Sequence, residues 1–321
     1  MGGTPRADEE GQLLSIVVPV FRAAGSLPEL HQRLAEVFAN RTEGFEIIFV
    51  EDCGGDDSWE VIRAIARTDS RVLGIRLNRN YGQHNALLAG IRAARGDLIV
   101  TMDDDLQHPP EEISKLLSKL DEGFDVVYGP PEKEQHGFLR DLASKITKMA
   151  LQGAMGVEAA RQISALRVFR TSLREAFCDY RSPTVSIDVL LTWATTRFAA
   201  VPVRHQPRKY GQSGYTVRQL LRHAIDMTTG FSTLPLRLAS VLGFVFGLFG
   251  LAILAYVVGR YLLYGSGVPG FPFLASIVAI FSGVQLFSLG IIGEYLARMH
   301  FRTMERPAYS VRETTESATC A

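Results

Sequence analysis

The sequence predicts an α/β domain on a mainly parallel sheet, followed by a basic amphipathic helix and two membrane-spanning helices. Three observations predict it. Short β-branched runs alternate with helical periods from Leu14 to Tyr128, two of those runs end in acidic clusters, and two long uncharged stretches lie in the C-terminal third. Repeated strand–helix units favour a parallel sheet covered by helices on both faces. Ligands of such sheets bind outside the carboxyl ends of the strands, which is where the acidic clusters fall.

Taken in order, the strands are expected at 14–20, 46–50, 72–77, 97–102 and 124–128. Between them, 26–38, 58–67, 83–94 and 110–120 carry apolar residues at helical spacing. Ser26-Leu-Pro-Glu29 reads as a capping box with proline in the first turn. Beyond Arg140, the segment Arg161 to Arg170 alternates Leu166, Val168 and Phe169 with Arg161, Arg167 and Arg170, predicting a further strand with basic residues on one face. Arg204 to Tyr215 contains Pro207, Gly211 and Gly214 and reads as a basic loop. Thr216 to Phe231 follows as a basic amphipathic helix suited to a membrane interface.

Leu238 to Gly259 and Phe271 to Gly293 contain no Asp, Glu, Lys or Arg. Each is long enough, as a helix, to cross a hydrocarbon core of about 30 Å. Basic residues cluster before the first stretch (Arg204, Arg208, Lys209, Arg218, Arg222, Arg237) and after the second (Arg298, Arg302, Arg306, Arg312), whereas the connector holds only Arg260. The positive-inside rule then puts both termini in the cytoplasm, with the protein integral to the inner membrane. The first 13 residues are polar with no apolar h-region and read as a disordered leader. The expected organisation is leader 1–13, catalytic domain 14–203, basic loop and amphipathic helix 204–235, hairpin 236–296 and cytoplasmic tail 297–321.

Lys and Arg number 34 against 34 Asp and Glu, so overall charge points to no partner, and no nucleic acid is expected. Cys53, Cys178 and Cys320 lack paired or metal-like spacing, as for thiols kept reduced. Gly243, Gly247 and Gly250 suit helix contacts and leave a homo-oligomer open. The sharpest local signal is Met102-Asp-Asp-Asp-Leu-Gln-His-Pro-Pro-Glu111. Alternation at a strand end lets Asp103 and Asp105 share a side while Asp104 points away. Two convergent carboxylates suit a hard cation such as Mg²⁺, which leaves its other positions to water and substrate phosphates. The alternative is a solvated acidic turn before the helix at Pro110.

Four segments carry a family resemblance: Ser15-Ile-Val-Val-Pro-Val-Phe21, Val50-Glu-Asp-Cys-Gly-Gly-Asp-Asp-Ser58, Asn78-Arg-Asn-Tyr-Gly-Gln-His-Asn-Ala-Leu-Leu-Ala-Gly90 and the 102–111 motif. Together they resemble the family 2 glycosyltransferases of GT-A fold. Pro207-Arg-Lys-Tyr-Gly-Gln-Ser-Gly-Tyr215, Phe231 to Arg237 and Gly293 to Arg298 are similar to the juxtamembrane and tail signatures of the polyprenyl-phosphate subgroup. The resemblance implies transfer of one sugar from a nucleotide-sugar donor to an undecaprenyl-type phosphate at the bilayer. It implies that Asp52, with Glu51, contacts the nucleoside, that Pro19 to Phe21 line the base pocket, and that Asp103 and Asp105 hold Mg²⁺ or Mn²⁺ with Gln107 close by. Arg208, Ser213 and Tyr215 match an acceptor and diphosphate clamp, with Arg140, Arg167 and Arg170 as further phosphate-binding candidates.

The chain departs from the family pattern in three places. Arg22-Ala23 replaces Asn-Glu after the first strand, Cys53-Gly54 replaces Gly-Ser, and the acidic residue expected near 162–165 is missing. Asp188 is the substitute catalytic candidate, its alternatives being a helix cap or a buried hydrogen-bonded carboxylate. His84 and His108 are expected to make neutral polar contacts, since no ligand-like cluster accompanies them. Two other readings remain at this level. A processive polysaccharide synthase would carry a Gln-x-x-Arg-Trp segment, but Trp59 and Trp193 stand in other contexts; a non-catalytic lipid-phosphate-binding membrane partner would keep the fold without the reaction.

Overall fold

A computed structural model describes residues 12–39, 44–132, 163–182, 185–207, 209, 234–265, 270–304 and 306–315. The chain divides into two units: the sheet domain together with the segment after residue 304, and the helical pair between them.

The sheet domain opens with β1 (Leu14–Val20), α1 (Leu27–Val37), β2 (Phe45–Glu51), α2 (Ser58–Thr68), β3 (Val72–Leu77), α3 (Gln83–Ala93) and β4 (Leu98–Thr101). A 3₁₀ turn (Pro110–Glu112) leads into α4 (Ile113–Asp121), then β5 (Val126–Tyr128), β6 (Arg167–Arg170), α5 (Ile187–Ala194) and β7 (Phe198–Ala200). A final strand, β8 (Val311–Thr314), follows the helical pair in sequence and completes an eight-stranded sheet in the order β7-β5-β6-β4-β1-β2-β3-β8.

Strands β1, β2, β3 and β4 run parallel, whereas β6 is antiparallel to both β4 and β5, and β8 is antiparallel to β3. Every residue of β1 and β2 is buried, as expected for parallel strands covered on both faces. Alternate side chains divide between two apolar layers. Ile16, Val18, Ile47 and Phe49 pack with Leu30, Leu34, Ile62 and Leu116, on the side of α1, α2 and α4. Val17, Ile48, Val50 and Ile99 pack with Leu87, Leu88, Ile91, Leu190 and Leu191, on the side of α3 and α5. Burying each such aliphatic side chain contributes about 1.5–3 kcal/mol, so the central strands are held rigidly and their carboxyl ends make a fixed rim.

Two local expectations change. Ser26 does not close a capping box: its backbone is already helical at φ −92°, ψ −26°, and its hydroxyl donates to the Ala23 carbonyl at 3.0 Å. Glu29 instead accepts from Lys209 Nζ at 2.6 Å. The predicted strand near residue 170 exists, but its arginines do not share a face. Arg167 and Arg170 lie an odd number of residues apart and so project to opposite sides.

The second unit pairs α6 (Leu234–Tyr264) with α7 (Phe271–Thr303). Leu236–Tyr264 and Ile280–Ala297 are long and apolar enough to cross a membrane, with mean hydropathies of 2.6 and 1.4. Unlike the core helix of a soluble domain, neither apolar window is buried within the protein. The helices meet where Phe281 stacks edge-on against Phe246, at a ring separation of 6.2 Å, and closes over Gly250. A Cβ at Gly250 would stand 2.8 Å from that ring, whereas Gly243 and Gly247 face open space. Residues 1–11 of the leader and the amphipathic segment 216–231 lie outside the described residues.

Candidate active site

Three of the parallel strands end side by side, and each is followed by a residue in the left-handed region: Arg22 after β1 (φ 56°), Cys53 after β2 (φ 54°) and Leu106 after β4 (φ 60°). Such backbone is costly for a residue with a Cβ and collects where function over-determines it. The acidic side chains of the rim hold these turns together. Asp52, 3% exposed, accepts the backbone N–H groups of Tyr81 and Gly82, both at 2.7 Å. Gly82 has φ 91°, a conformation glycine adopts freely, and it presents the start of α3 to the carboxylate. A negative charge is favoured there because helix N-terminal N–H groups are unsatisfied and carry partial positive charge.

The next residue, Gln83, donates from Nε2 to Asp103 Oδ1 at 2.6 Å. Asp52 and Asp103 are thus bonded to three consecutive residues, 81–83, although 51 positions separate them in the chain. Asp104 turns the other way, to accept the Phe21 N–H at 3.1 Å, and Asp105 accepts the Gln107 N–H at 3.0 Å in an Asx-type turn. Asp103, Asp104 and Asp105 thus bond to different partners within a turn that lies beyond the end of β4, not on the strand itself. Pro19 is buried, while Phe21 is 44% exposed with the Arg22 guanidinium 5.2 Å from its ring centroid. Gln107 is half-buried, and its carbonyl accepts the Gln206 N–H at 2.8 Å, which ties the 204–207 segment to the acidic loop.

Burial pushes Asp52 up to about 6, against the pull of its two backbone hydrogen bonds and with a smaller push from Glu51. Burial likewise raises Asp104 to about 7; the Phe21 N–H opposes this, and the charges of Asp103 and Asp105 add to it. His108 is lowered to about 4 by burial, with His205 edge-on at 5.0 Å, so it is neutral near pH 7. Its Nδ1 is buried with no hydrogen-bond partner among the described residues.

Among the described residues no group of three His, Cys, Asp or Glu side chains stands ready to hold a metal ion. Asp103 and Asp105 nevertheless fit a hard divalent cation. They are half-buried carboxylates on one loop, and Mg²⁺ asks for only one or two protein carboxylates.

Of the phosphate-binding candidates, Arg167 stands in register with Thr101 at the rim end of β4 and Arg170 at its other end. Arg167 is 3% exposed and forms a buried ion pair with Asp188, whose carboxylate also accepts the Tyr128 hydroxyl at 3.1 Å. Burial and the adjacent Asp188 charge drive the Tyr128 phenol well above its ordinary pKa. Arg170 pairs in register with Leu98 at the start of β4, about 10 Å along the strand from the Thr101 end, and faces Asp125 at 3.9 Å. It therefore sits at the opposite end of the strands from the acidic rim, because β6 runs antiparallel to its neighbours. Glu51 is 1% exposed and engaged internally by Gly54 and Arg76. Arg140, Arg208, Ser213 and Tyr215 lie outside the described residues. Sequence reasoning missed Gln83 and Arg76; the signal for Arg76 was a lone charge in the otherwise apolar run Val72-Leu-Gly-Ile-Arg-Leu77.

Comparison with known proteins fits this rim. The profile of Glycosyl transferase family 2 matches residues 15–176. The undecaprenyl-phosphate 4-deoxy-4-formamido-L-arabinose transferase of Shewanella sediminis is 37% identical over 303 residues, covering 94% of this chain and 92% of that one. The protein of the same name from Pseudomonas aeruginosa is 35% identical over 312 residues, with coverages of 96% and 92%. Among solved structures, glucosyl-3-phosphoglycerate synthase from Mycobacterium tuberculosis with Mn²⁺, UDP and glucosyl-3-phosphoglycerate aligns at TM-score 0.52 and 17% identity, covering 68% of this chain and 78% of that one, a likeness of fold. With this profile spanning the strands that build the acidic rim, and relatives matching nearly end to end, the chain belongs to glycosyl transferase family 2.

Proposed function

We propose that the protein is a membrane-bound transferase that moves one sugar from a nucleotide donor to a polyprenyl phosphate at the cytoplasmic face of the inner membrane. The observation that carries the proposal is the meeting of Asp52 and Asp103 at the start of α3, which makes one site of a nucleoside-side and a diphosphate-side carboxylate. The acceptor class rests on the two relatives named for undecaprenyl phosphate. Asp52 and the Pro19–Phe21 segment receive the nucleoside. Asp103 and Asp105 hold Mg²⁺ or Mn²⁺, which when bound offsets charge developing on the departing diphosphate.

A lipid phosphate monoester, with a second pKa near 6, is largely dianionic at neutral pH, so a general base is optional. Its oxygen attacks the anomeric carbon in line as the bond to the nucleoside diphosphate breaks, so the configuration inverts. The requirement is to hold two anionic phosphates together. Arg208, with Ser213 and Tyr215, is the leading clamp, since a guanidinium stays charged and binds phosphate bidentately.

Two spans and a cytoplasmic catalytic domain agree with the basic flanks of the hairpin. They also agree with the tail: β8 follows the second apolar helix yet joins the sheet whose other strands precede the first, which requires an even number of crossings. The test uses purified full-length protein, Mn²⁺ and undecaprenyl phosphate against a panel of nucleotide sugars, beginning with a nucleotide-linked 4-formamido-arabinose. Formation of a glycosylated lipid phosphate, lost in Asp105→Ala, supports the assignment. A folded, membrane-inserted protein that transfers none of the panel while Asp105→Ala keeps its biological role would favour a lipid-phosphate-binding partner.

A further inference from the structure

Glu51 begins a chain of charges, buried at Glu51, half-buried at Arg76 and exposed at Glu313, that leads from the nucleoside turn to the carboxyl-terminal strand. Its Oε1 accepts the Gly54 N–H at 2.6 Å, and its Oε2 accepts from Arg76 Nε at 3.2 Å. Arg76, on β3, donates its Nη1 to Glu313 Oε1 on β8 at 3.1 Å, and its guanidinium lies 5.8 Å from the Trp59 ring centroid. The path Glu313, Arg76, Glu51, Gly54 thus spans three adjacent strands and ends on the turn Asp52-Cys53-Gly54. That turn holds Cys53 at φ 54°, which persists only if its surroundings fix it, and it aims Asp52 at the start of α3.

The tail is more than a loose cover. Asn78 donates its backbone N–H to the Ser310 carbonyl at 2.9 Å and its Nδ2 to Ser310 Oγ at 2.7 Å. At the other end Gly74 and Thr315 exchange two bonds, of 2.8 and 2.9 Å. Ala308 is buried and Tyr309 packs into the apolar layer beside α3. By contrast, all four residues of β8 are exposed, so the strand's own side chains add little burial. What β8 presents to the rim is the Glu313 carboxylate.

We propose that Arg76 and Glu313 are positioning residues for the donor-nucleoside turn, so that the segment following the second apolar helix sets the affinity for the donor. The inference rests on the reading that the Asp52 pocket receives the nucleoside. Removing Arg76 leaves the Glu51 carboxylate buried without its cation, and the turn must shift or the group take up a proton. Removing Glu313 leaves that pair intact but frees the guanidinium to swing.

The test is titration of UDP and of GDP, each with Mn²⁺, into the full-length protein in lipid nanodiscs. Arg76→Ala weakens the tighter-bound nucleotide about tenfold, in keeping with an uncompensated buried charge. Glu313→Ala weakens it about threefold, the scale of a part-exposed pair. The double variant binds no worse than Arg76→Ala alone, because the two residues act along one path. Glu313→Gln, which still offers an oxygen to Arg76, recovers most of the affinity. Thr315→Val, which removes the side-chain bond of the two at the other end of β8, lowers the unfolding temperature and leaves nucleotide affinity unchanged. Parent-like binding by Glu313→Ala overturns the proposal, as does a loss in Thr315→Val equal to that in Glu313→Ala. Failure of the parent protein to bind either nucleotide overturns the pocket reading beneath it. If Arg76→Ala does not fold, the Glu313 and Thr315 variants decide the matter.

Discussion

Asp52 and Gly82 join the end of β2 to the start of α3, the Asp52 Oδ2 accepting the Gly82 N–H at 2.7 Å. The bond needs an anion in a place that burial makes unfavourable for one, and Asp52 accordingly titrates at about 6, above its ordinary 3.8. Between those values the native state holds more protons than the unfolded chain, so this group's contribution to stability rises as pH falls and is lost as pH climbs through 6. Donor binding runs the opposite way, because protonation removes the charge that fixes the turn. Nucleotide-sugar affinity, measured by titration from pH 8 to 5, is expected to fall with a midpoint near 6. A nucleotide sugar is a diphosphate diester with no proton to lose in this range, so the midpoint belongs to the protein. In Asp52→Asn the affinity is expected to be weak and flat across the range.

Gly96 offers a stability change remote from the chemistry, at the start of β4. A Cβ there would stand 2.5 Å from the Leu13 carbonyl oxygen, 2.7 Å from Ser15 Oγ and 2.9 Å from Ser15 N. Two of these are backbone atoms of a fully buried strand and its lead-in, so they yield little. Gly96→Ala is expected to cost about 1–3 kcal/mol, with KM for the donor unchanged. Chemical denaturation beside steady-state kinetics separates the two effects.

The alternating β/α order was legible because parallel strands covered on both faces are written as apolar runs. β1 and β3 begin and end where the periodicity puts them, at Leu14–Val20 and Val72–Leu77. The acidic rim was legible for the same reason, since Asp52 and Asp103 each follow such a run. β8 was not legible. Val311-Arg-Glu-Thr314 carries no apolar alternation and becomes a strand only because β3 offers an open edge. The arginines were legible only in part: spacing along one strand does not reveal that β6 runs antiparallel, which brings Arg167 beside Thr101 at the rim end of β4 and sends Arg170 to the other end of the strands. Nor does the sequence disclose that Glu51 is taken up by Arg76.

The Arg167–Asp188 pair separates a structural carboxylate from a catalytic one. Removing one partner of a buried pair leaves an uncompensated charge, so Asp188→Ala is expected to cost about 3–5 kcal/mol. Replacing both with apolar residues of similar volume, as in Arg167→Met with Asp188→Leu, is expected to return most of that stability. If Asp188 also serves the reaction, the double variant folds and stays inactive. If its work is only to neutralise Arg167, transfer returns with the fold. Unfolding curves and turnover on the same preparations make the distinction.

The three aspartates of the 103–105 turn make different demands. Asp104 has Oδ2 committed to the Phe21 N–H, a bond that joins the β4 loop to the β1 loop. Asn at that position keeps an acceptor of the same shape, so Asp104→Asn is expected to retain most transfer activity. Asp103 and Asp105 are the hard oxygens suited to a cation, and no neutral side chain replaces their charge. Asp105→Ala is expected to lower turnover by about 10²- to 10³-fold, the scale on which charge stabilisation in a transition state operates. Chelation with EDTA is expected to abolish transfer by the parent protein, and added Mn²⁺ or Mg²⁺ to restore it. Direct Mn²⁺ binding, followed by electron paramagnetic resonance in the presence of nucleoside diphosphate, is expected to be lost in Asp105→Ala and kept in Asp104→Asn. If Asp104→Asn lost the ion while Asp105→Ala kept it, the roles within the turn would be exchanged and the Phe21 bond would be the incidental one.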